Sequence, residues 1–340
     1  MSSLATEPTR AAMPASDHAR TPDAGRLAGA ALAAVAGLGV AGQSRINGEL
    51  GARLHDGIAA ATVSFGTGLV LLAALLLAVP AGRRGLSLVA GSVRRGRAGD
   101  PGGLRWWQCV GGACGGFLVL GQGTTVAALG VAVFTVAVVA GQSISSLAVD
   151  RLGAGPAGPQ PLTTARILGA TLAIVAVVIA VADRLGTPSA LGLAAIPALA
   201  GMGSAWQQAV NGRVRATADS TLTATFINFT VGTSVLLVVL AVDLAVRGLP
   251  TGSLPAQPWL YLGGPLGMIF IGIAAAVVQR TGVLLLSLSM ISGQLVGALV
   301  LDEILPESGG RPTANIFAGI ALTLVAIAVA ARPRRRPLAP

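Results

Sequence analysis

The 340-residue chain has no lysine, a single tyrosine, two cysteines (Cys109, Cys114) and two histidines (His18, His55). Charged residues make up 11% of it and aromatics 4%. Each shortage removes a class of function. Two cysteines in one apolar stretch form neither a disulfide framework nor a metal motif. Two isolated histidines in polar segments offer no clustered ligands, so no metal is expected. No Ser/His/Asp set occurs, and the glycine-rich segments are apolar rather than phosphate loops, which speaks against an enzyme, a cofactor and a nucleotide site. A soluble domain carries about 25% charged residues, more than twice the share found here.

What remains is apolar: 53% hydrophobic residues, 47 glycines and a mean hydropathy of +0.76. This is the composition of a polytopic membrane protein, with glycine allowing close helix contact in lipid. A span needs about 20 apolar residues, which predicts an all-α integral membrane protein with ten transmembrane helices at 27–47, 58–79, 106–126, 130–149, 165–183, 189–209, 221–242, 259–279, 282–301 and 313–331. The first run is too long for a signal-peptide core and is read as uncleaved. Turns are expected near Gly130 and near Arg280-Thr281-Gly282. Residues 1–26 read as a disordered tail, 80–105 as a basic loop and 332–340 as a basic tail.

The arginines orient this plan. With both termini cytoplasmic, the inner segments hold 18 of the 23 arginines and the outer ones only Arg45, Arg53, Arg184, Arg247 and Arg311. The positive-inside rule favours that arrangement. The clusters Arg94-Arg95-Gly96-Arg97 and Arg334-Arg335-Arg336 then read as topology determinants beside the lipid bilayer, and no nucleic-acid partner is expected.

The chain is duplicated. Gln43-x-x-x-Asn47-Gly48 returns as Gln207-x-x-x-Asn211-Gly212, Phe65-x-x-Gly68 as Phe229-x-x-Gly232, Gly111-Gly112-x-x-Gly115 as Gly263-Gly264-x-x-Gly267, and Gly141-Gln142 with Asp150 as Gly293-Gln294 with Asp302. The offset is 164 residues early and 152 later. Residues 27–184 and 189–331 thus form two five-helix repeats, and an odd number of spans turns the second upside down. Inverted repeats are a common plan for secondary transporters, with the substrate site near the midplane.

The acids lie outside the spans or at their ends: Asp150 and Asp302 close spans four and nine, Asp183 span five and Asp243 span seven. They read as interfacial caps, with a paired role open to Asp150 and Asp302 because these two recur. Within the spans the polar groups are amides and hydroxyls, each of which needs a partner in hydrocarbon. Gln43, Asn47, Gln142, Gln207, Asn211 and Gln294 come in repeat-related pairs and have two open readings: glue between helices, or the lining of a polar path. Trp206 stands beside Gln207 and has the same ambiguity between a substrate-facing ring and an interfacial anchor. Unpaired amides read as glue.

On these motifs the chain, over about 27–331, resembles the drug/metabolite transporter superfamily, specifically its YdcZ-like branch. The resemblance implies a ten-helix inner-membrane protein of two five-helix halves and an exporter role. Small multidrug exporters in that superfamily use a glutamate in the first helix, a position empty here because Glu49 lies past the end of span one. The expectation is a secondary transporter that exports a small metabolite or drug-like solute by alternating access. Gln43 and Asn47 would serve one gate and Gln207 and Asn211 the other, flanking a midplane site. A coupling ion and a homodimer stay open. The alternative is a non-transporting membrane protein with a structural or assembly role.

Overall fold

The computed structural model describes residues 24–156, 158–159, 162–180, 182–184, 188–248, 252–305 and 312–330; most of the two predicted tails lies outside these. Among the described residues the regular structure is helical: α1 (Ala24–Leu54), α2 (Gly57–Ala78), α3 (Pro80–Arg97), α4 (Gly112–Leu129), α5 (Val131–Arg151), α6 (Thr164–Ala180), α7 (Pro188–Ala218), α8 (Thr221–Arg247), α9 (Gly263–Ile304) and α10 (Ala314–Ala330). Among the described residues, five stretches are long and apolar enough to cross a membrane: Leu27–Leu54, Gly57–Ala78, Trp106–Leu129, Val131–Arg151 and Thr221–Arg247. Two shorter apolar helices, Thr164–Ala180 and Ala314–Val329, accompany them.

The interhelical turns repeat between the halves as the sequence does. Asp56 caps α2 by accepting from Ile58 N and Ala59 N at 2.8 and 3.0 Å. Its repeat mate Ser220 caps α8 by accepting from Thr223 N at 3.2 Å. Such a cap satisfies donors that no preceding turn can reach. The residues just before them, His55 and Asp219, both adopt positive φ, +51° and +47°.

Two expectations need correction. The segment after α2 is not a loop: Pro80–Arg97 is helical, with proline at its first turn, where a missing N–H costs nothing. Its buried stripe is Gly82, Gly85, Val89, Ser92 and Gly96, a 3.6-residue period built mostly from small residues, and its arginines are exposed. Gly82 lets α3 sit against Leu222, and Thr223 Oγ1 donates to Gly82 O at 2.9 Å. Second, α1 runs on to Leu54, so Glu49 is on the helix after all, bonded to Arg53 at 2.6 Å.

The turn expected near Arg280-Thr281-Gly282 falls inside α9, a helical element of 42 residues. Straight, it would extend about 63 Å. Yet Gln43 Nε2 donates to Gly263 O at 2.8 Å while Arg45 Nη1 donates to Leu305 O at 2.7 Å, so both ends meet the same turn of α1. The limb after Gly263 runs antiparallel to α1, with Asn47 at Gly263 and Gln43 at Gly267; the later limb runs parallel, with Ala34 at Gly293, Leu38 and Ala41 at Gly297, and Arg45 at Leu305. The chain therefore reverses between 271 and 289, where the turn near Arg280-Thr281-Gly282 is expected. The counterpart turn in the first half does break, at Gly130 (φ +80°) between α4 and α5.

α1 packs along both limbs of α9, as α7 packs on α4 and α5; α2 crosses α8, and α6 pairs with α10. The largest buried apolar cluster centres on α5, with Val131, Val133, Phe134 and Val136 against Leu295, Ala298, Ile316 and Ile320.

Candidate functional site

Gln43 and Asn47 stand one turn apart on α1 and share a face. Asn47 Nδ2 donates to Gln122 Oε1 at 2.6 Å, Gln122 Nε2 donates to Ser44 Oγ at 3.0 Å, and Ser44 Oγ donates to Val40 O at 3.1 Å. All are buried, Asn47 completely and Gln43 to 7% exposure. Asn47 Oδ1 and the hydroxyl of Ser64 are buried without a hydrogen-bond partner. Both crowd the Cα of Gly263, where a methyl group would collide with Asn47 and lie 2.7 Å from Ser64 Oγ.

The second group is built on α7. Gln207 Nε2 and Asn211 Nδ2 both donate to one acceptor, Asn228 Oδ1 on α8, at 2.9 and 2.8 Å. Here the floor is Gly111 and Gly115: side chains there would come within 2.9 Å of Asn211 Oδ1 and 2.6 Å of Gln207 Nε2. Gln207 and Asn211 are half-exposed. The two groups are equivalent by repeat but differ in closure.

The packing is crossed. Carboxamides of the first half lie on Gly263 and Gly267 of the second, and carboxamides of the second lie on Gly111 and Gly115 of the first. The same exchange recurs at two further pairs of contacts between the halves. Gly264 abuts Ser64 O and Gly112 abuts Asn228 O; Gly293 abuts Ala34 O and Gly141 abuts Ala198 O. Between the two groups Phe65 and Phe229 stack, centroids 4.8 Å apart at 29°. Each ring occupies the space over the other half's glycine, Phe65 over Gly232 and Phe229 over Gly68.

The remaining candidates are placed as follows. Gln142 and Gln294 are half-buried and follow the contact glycines Gly141 and Gly293, outside both amide groups. Trp206 stacks on Trp107, centroids 5.4 Å apart, beside the second group. Asp150 and Asp302 do not meet: Asp150 is near the C-terminal end of α5 and Asp302 receives hydrogen bonds from its N-terminal end, from Val131 N at 2.9 Å and Ala132 N at 2.7 Å. Asp302 is 4% exposed, so it is a cap as expected but of a foreign helix and out of solvent. Asp150 is half-exposed and ion-paired to Arg166.

Sequence reasoning passed over Gln122, Ser64 and Asn228 as partners. Ser64 and Asn228 are repeat mates of unlike type, so a search for recurring residues does not pair them. A cavity of about 450 Å³ opens between the start of α2, α4, α7 and the end of α8, lined by Asp56, Phe117, Ile196, Asp243 and Arg247 among others. No nominated amide lines it, and the crossed contacts outweigh it as a functional signal because they recur in both halves.

The comparisons agree with this architecture. A solved structure, described only as a crystal structure of a protein, superposes with a TM-score of 0.52 at 18% identity, covering 90% of this chain and 96% of that one, which is a likeness of fold. No curated protein matches the chain. A family model described as "Putative inner membrane exporter, YdcZ" matches residues 28–179 and again 192–329, one match per repeat. The chain belongs to the YdcZ family of drug/metabolite transporters.

Proposed function

We propose that this protein is a secondary transporter that exports a small solute across the inner membrane, cycling between states in which one amide group or the other is closed. The supporting observation is the unequal burial of two symmetry-related groups: Gln43 and Asn47 are sealed, whereas Gln207 and Asn211 are half-exposed. In an inverted-repeat protein the opposite state follows when the halves exchange conformations. With ten spans and both termini cytoplasmic, the closed group faces outward and the half-open group inward, as suits a protein awaiting cargo from the cell. Neither group carries a charge. Carboxamides, hydroxyls and the Phe65–Phe229 pair suit a solute that is uncharged or net-neutral and rich in hydrogen-bonding groups.

The test is efflux from liposomes holding the purified protein and a panel of neutral, zwitterionic and charged metabolites, with and without proton or sodium gradients. Movement of a member of the panel that is lost in Gln207→Leu and Asn211→Leu, while both variants insert and fold normally, supports the reading. A panel that stays put under every gradient counts against it and favours the structural role.

A further inference from the structure

Resting on that reading, we propose that Asn47 Oδ1 and Ser64 Oγ form a docking pair for one nitrogen that carries two or more hydrogens. The exported solute is then a molecule, neutral overall, that bears a primary amino group.

The pair stands out by what it lacks. Both side chains are buried, Asn47 at 0% and Ser64 at 1% exposure, and neither oxygen has a hydrogen-bond partner. A buried polar atom left in this condition is costly, and one kept in a folded protein calls for a reason. The space between the two oxygens and the Cα of Gly263 is too small for a water to relieve them. A methyl group on Gly263 would collide with Asn47 Oδ1 and lie 2.7 Å from Ser64 Oγ.

The orientation of the Asn47 amide follows from a chain of bonds that starts at a backbone carbonyl. Val40 O can only accept. Ser44 gives its one hydrogen there, so its oxygen accepts from Gln122 Nε2. Gln122 must then turn Oε1 to Asn47, which answers with Nδ2. Asn47 Oδ1 is left facing Gly263. Gln43 is fixed in the same way, with its Nε2 on Gly263 O. The face that Gly263 covers is therefore an accepting one.

The cover belongs to the other half. Asn47 and Ser64 stand on α1 and α2, whereas Gly263 opens α9. When the halves part at this end, Gly263 withdraws and the two oxygens face the path. Asn47 Oδ1 can only accept, and Ser64 Oγ can accept too. Both converge on one place, that of a side chain on Gly263. One nitrogen with two N–H groups serves both at once; a hydroxyl, with a single hydrogen, does not. A primary amide would bring its own oxygen to a face whose amide nitrogens are engaged, while an amino group brings donors alone. The group of Gln43, Ser44, Asn47, Ser64 and Gln122 holds no carboxylate to neutralise a bare cation, so the amino group belongs to a molecule neutral overall.

The second group agrees in sign. Gln207 Nε2 and Asn211 Nδ2 are engaged at Asn228 Oδ1, and Asn211 Oδ1 is turned to Gly111, 2.9 Å from a side chain placed there. Asn228 holds the repeat position of Ser64, but its oxygen already accepts from two protein donors. The half-open end thus offers the Asn211 oxygen to an entering donor, and the sealed end offers a pair.

Efflux from liposomes tests this with probes matched in net charge and unequal in N–H groups: alanine and phenylalanine, each against its N,N,N-trimethyl derivative. The amino forms are expected to leave at least about tenfold faster than the trimethyl forms. In Ser64→Ala the amino forms slow about tenfold and the trimethyl forms do not, so the ratio falls toward one. The hydroxyl removed makes no bond, so the unfolding midpoint of Ser64→Ala, measured alongside, stays at or above that of the parent and separates a lost docking atom from a folding defect. If the trimethyl forms keep pace with the amino forms, or if the ratio is the same in Ser64→Ala and the parent, the proposal is overturned and transport stands. The same follows if other solutes of the panel move and neither amino probe does. If no solute moves under any gradient, the transporter reading falls and takes the proposal with it.

Discussion

Phe65 and Phe229 occupy equivalent positions in the two repeats and stack on one another, so the internal symmetry of the chain passes between their rings. Each ring is seated on a glycine of the opposite half, so no side chain other than hydrogen fits beneath either ring where α2 and α8 cross. That contact predicts a sharp size limit.

Gly68→Ala places a methyl group into the Phe229 ring and Gly232→Ala places one into Phe65. Overpacking of this kind costs about 1–3 kcal/mol. Either variant should lower the thermal midpoint of the purified protein, whereas Gly66→Ala, where nothing lies within 4 Å, should leave it in place. Equal midpoints for all three would refute the tight crossing.

The buried polar groups predict opposite signs for two neighbouring substitutions. Gln122→Leu strips the acceptor from Asn47 Nδ2 and the donor from Ser44 Oγ, and should destabilise by about 1–3 kcal/mol. Ser64→Ala removes a buried hydroxyl that has no partner and should be neutral or stabilising. Chemical or thermal unfolding in detergent ranks the pair; a Ser64→Ala protein weaker than Gln122→Leu would reverse the assignment.

Asn228 carries both amides of the second group on one oxygen. Asn228→Leu should therefore mimic the Gln207→Leu, Asn211→Leu double variant in efflux assays. The conservative Asn228→Asp, which keeps the acceptor, should retain more activity. Indistinguishable efflux from Asn228→Leu and the parent would remove Asn228 from the path.

Topology is checked by reporter fusions. Fusions after Arg97 and after Arg213 are expected to report the cytoplasm, and one near Pro250 the outside. One reversed reporter breaks the assignment of the sealed group to the outer face.

Much of the fold can be read from residue order: the repeats, the turn at Gly130 and the two amide pairs all stand where the motifs put them. The misses have physical causes. The helix Pro80–Arg97 hides because its buried stripe is glycine and serine rather than leucine, and the arginines dominate the composition of that stretch. The reversal inside α9, by contrast, is required by the contacts of Gly263 and Leu305, at the place where the repeat of Gly130 predicts a turn. The amide partners hide for a different reason. Repeat matching pairs a residue with its mate, but the contacts run from one half to the other half's floor. Gln122 has Ala274 as its mate, and Ser64 has Asn228, so neither is flagged by recurrence. Gln142 and Gln294 do recur and stand outside both groups.

The crossed floor constrains how such a protein can be divided. Either half, made alone, would carry its glutamine and asparagine into the membrane without the glycine ledge that receives them, and its phenylalanine without the notch it fills. Two copies of one half facing the same way would not repair this, because the ledge would stand at the wrong depth. Two copies inserted in opposite directions would, each lending the other its ledge and notch. The architecture is thus equivalent to two antiparallel partners joined into one chain, whose ends differ in detail: asparagine stands at 228 against serine at 64, and the basic helix Pro80–Arg97 lies against α7 and α8.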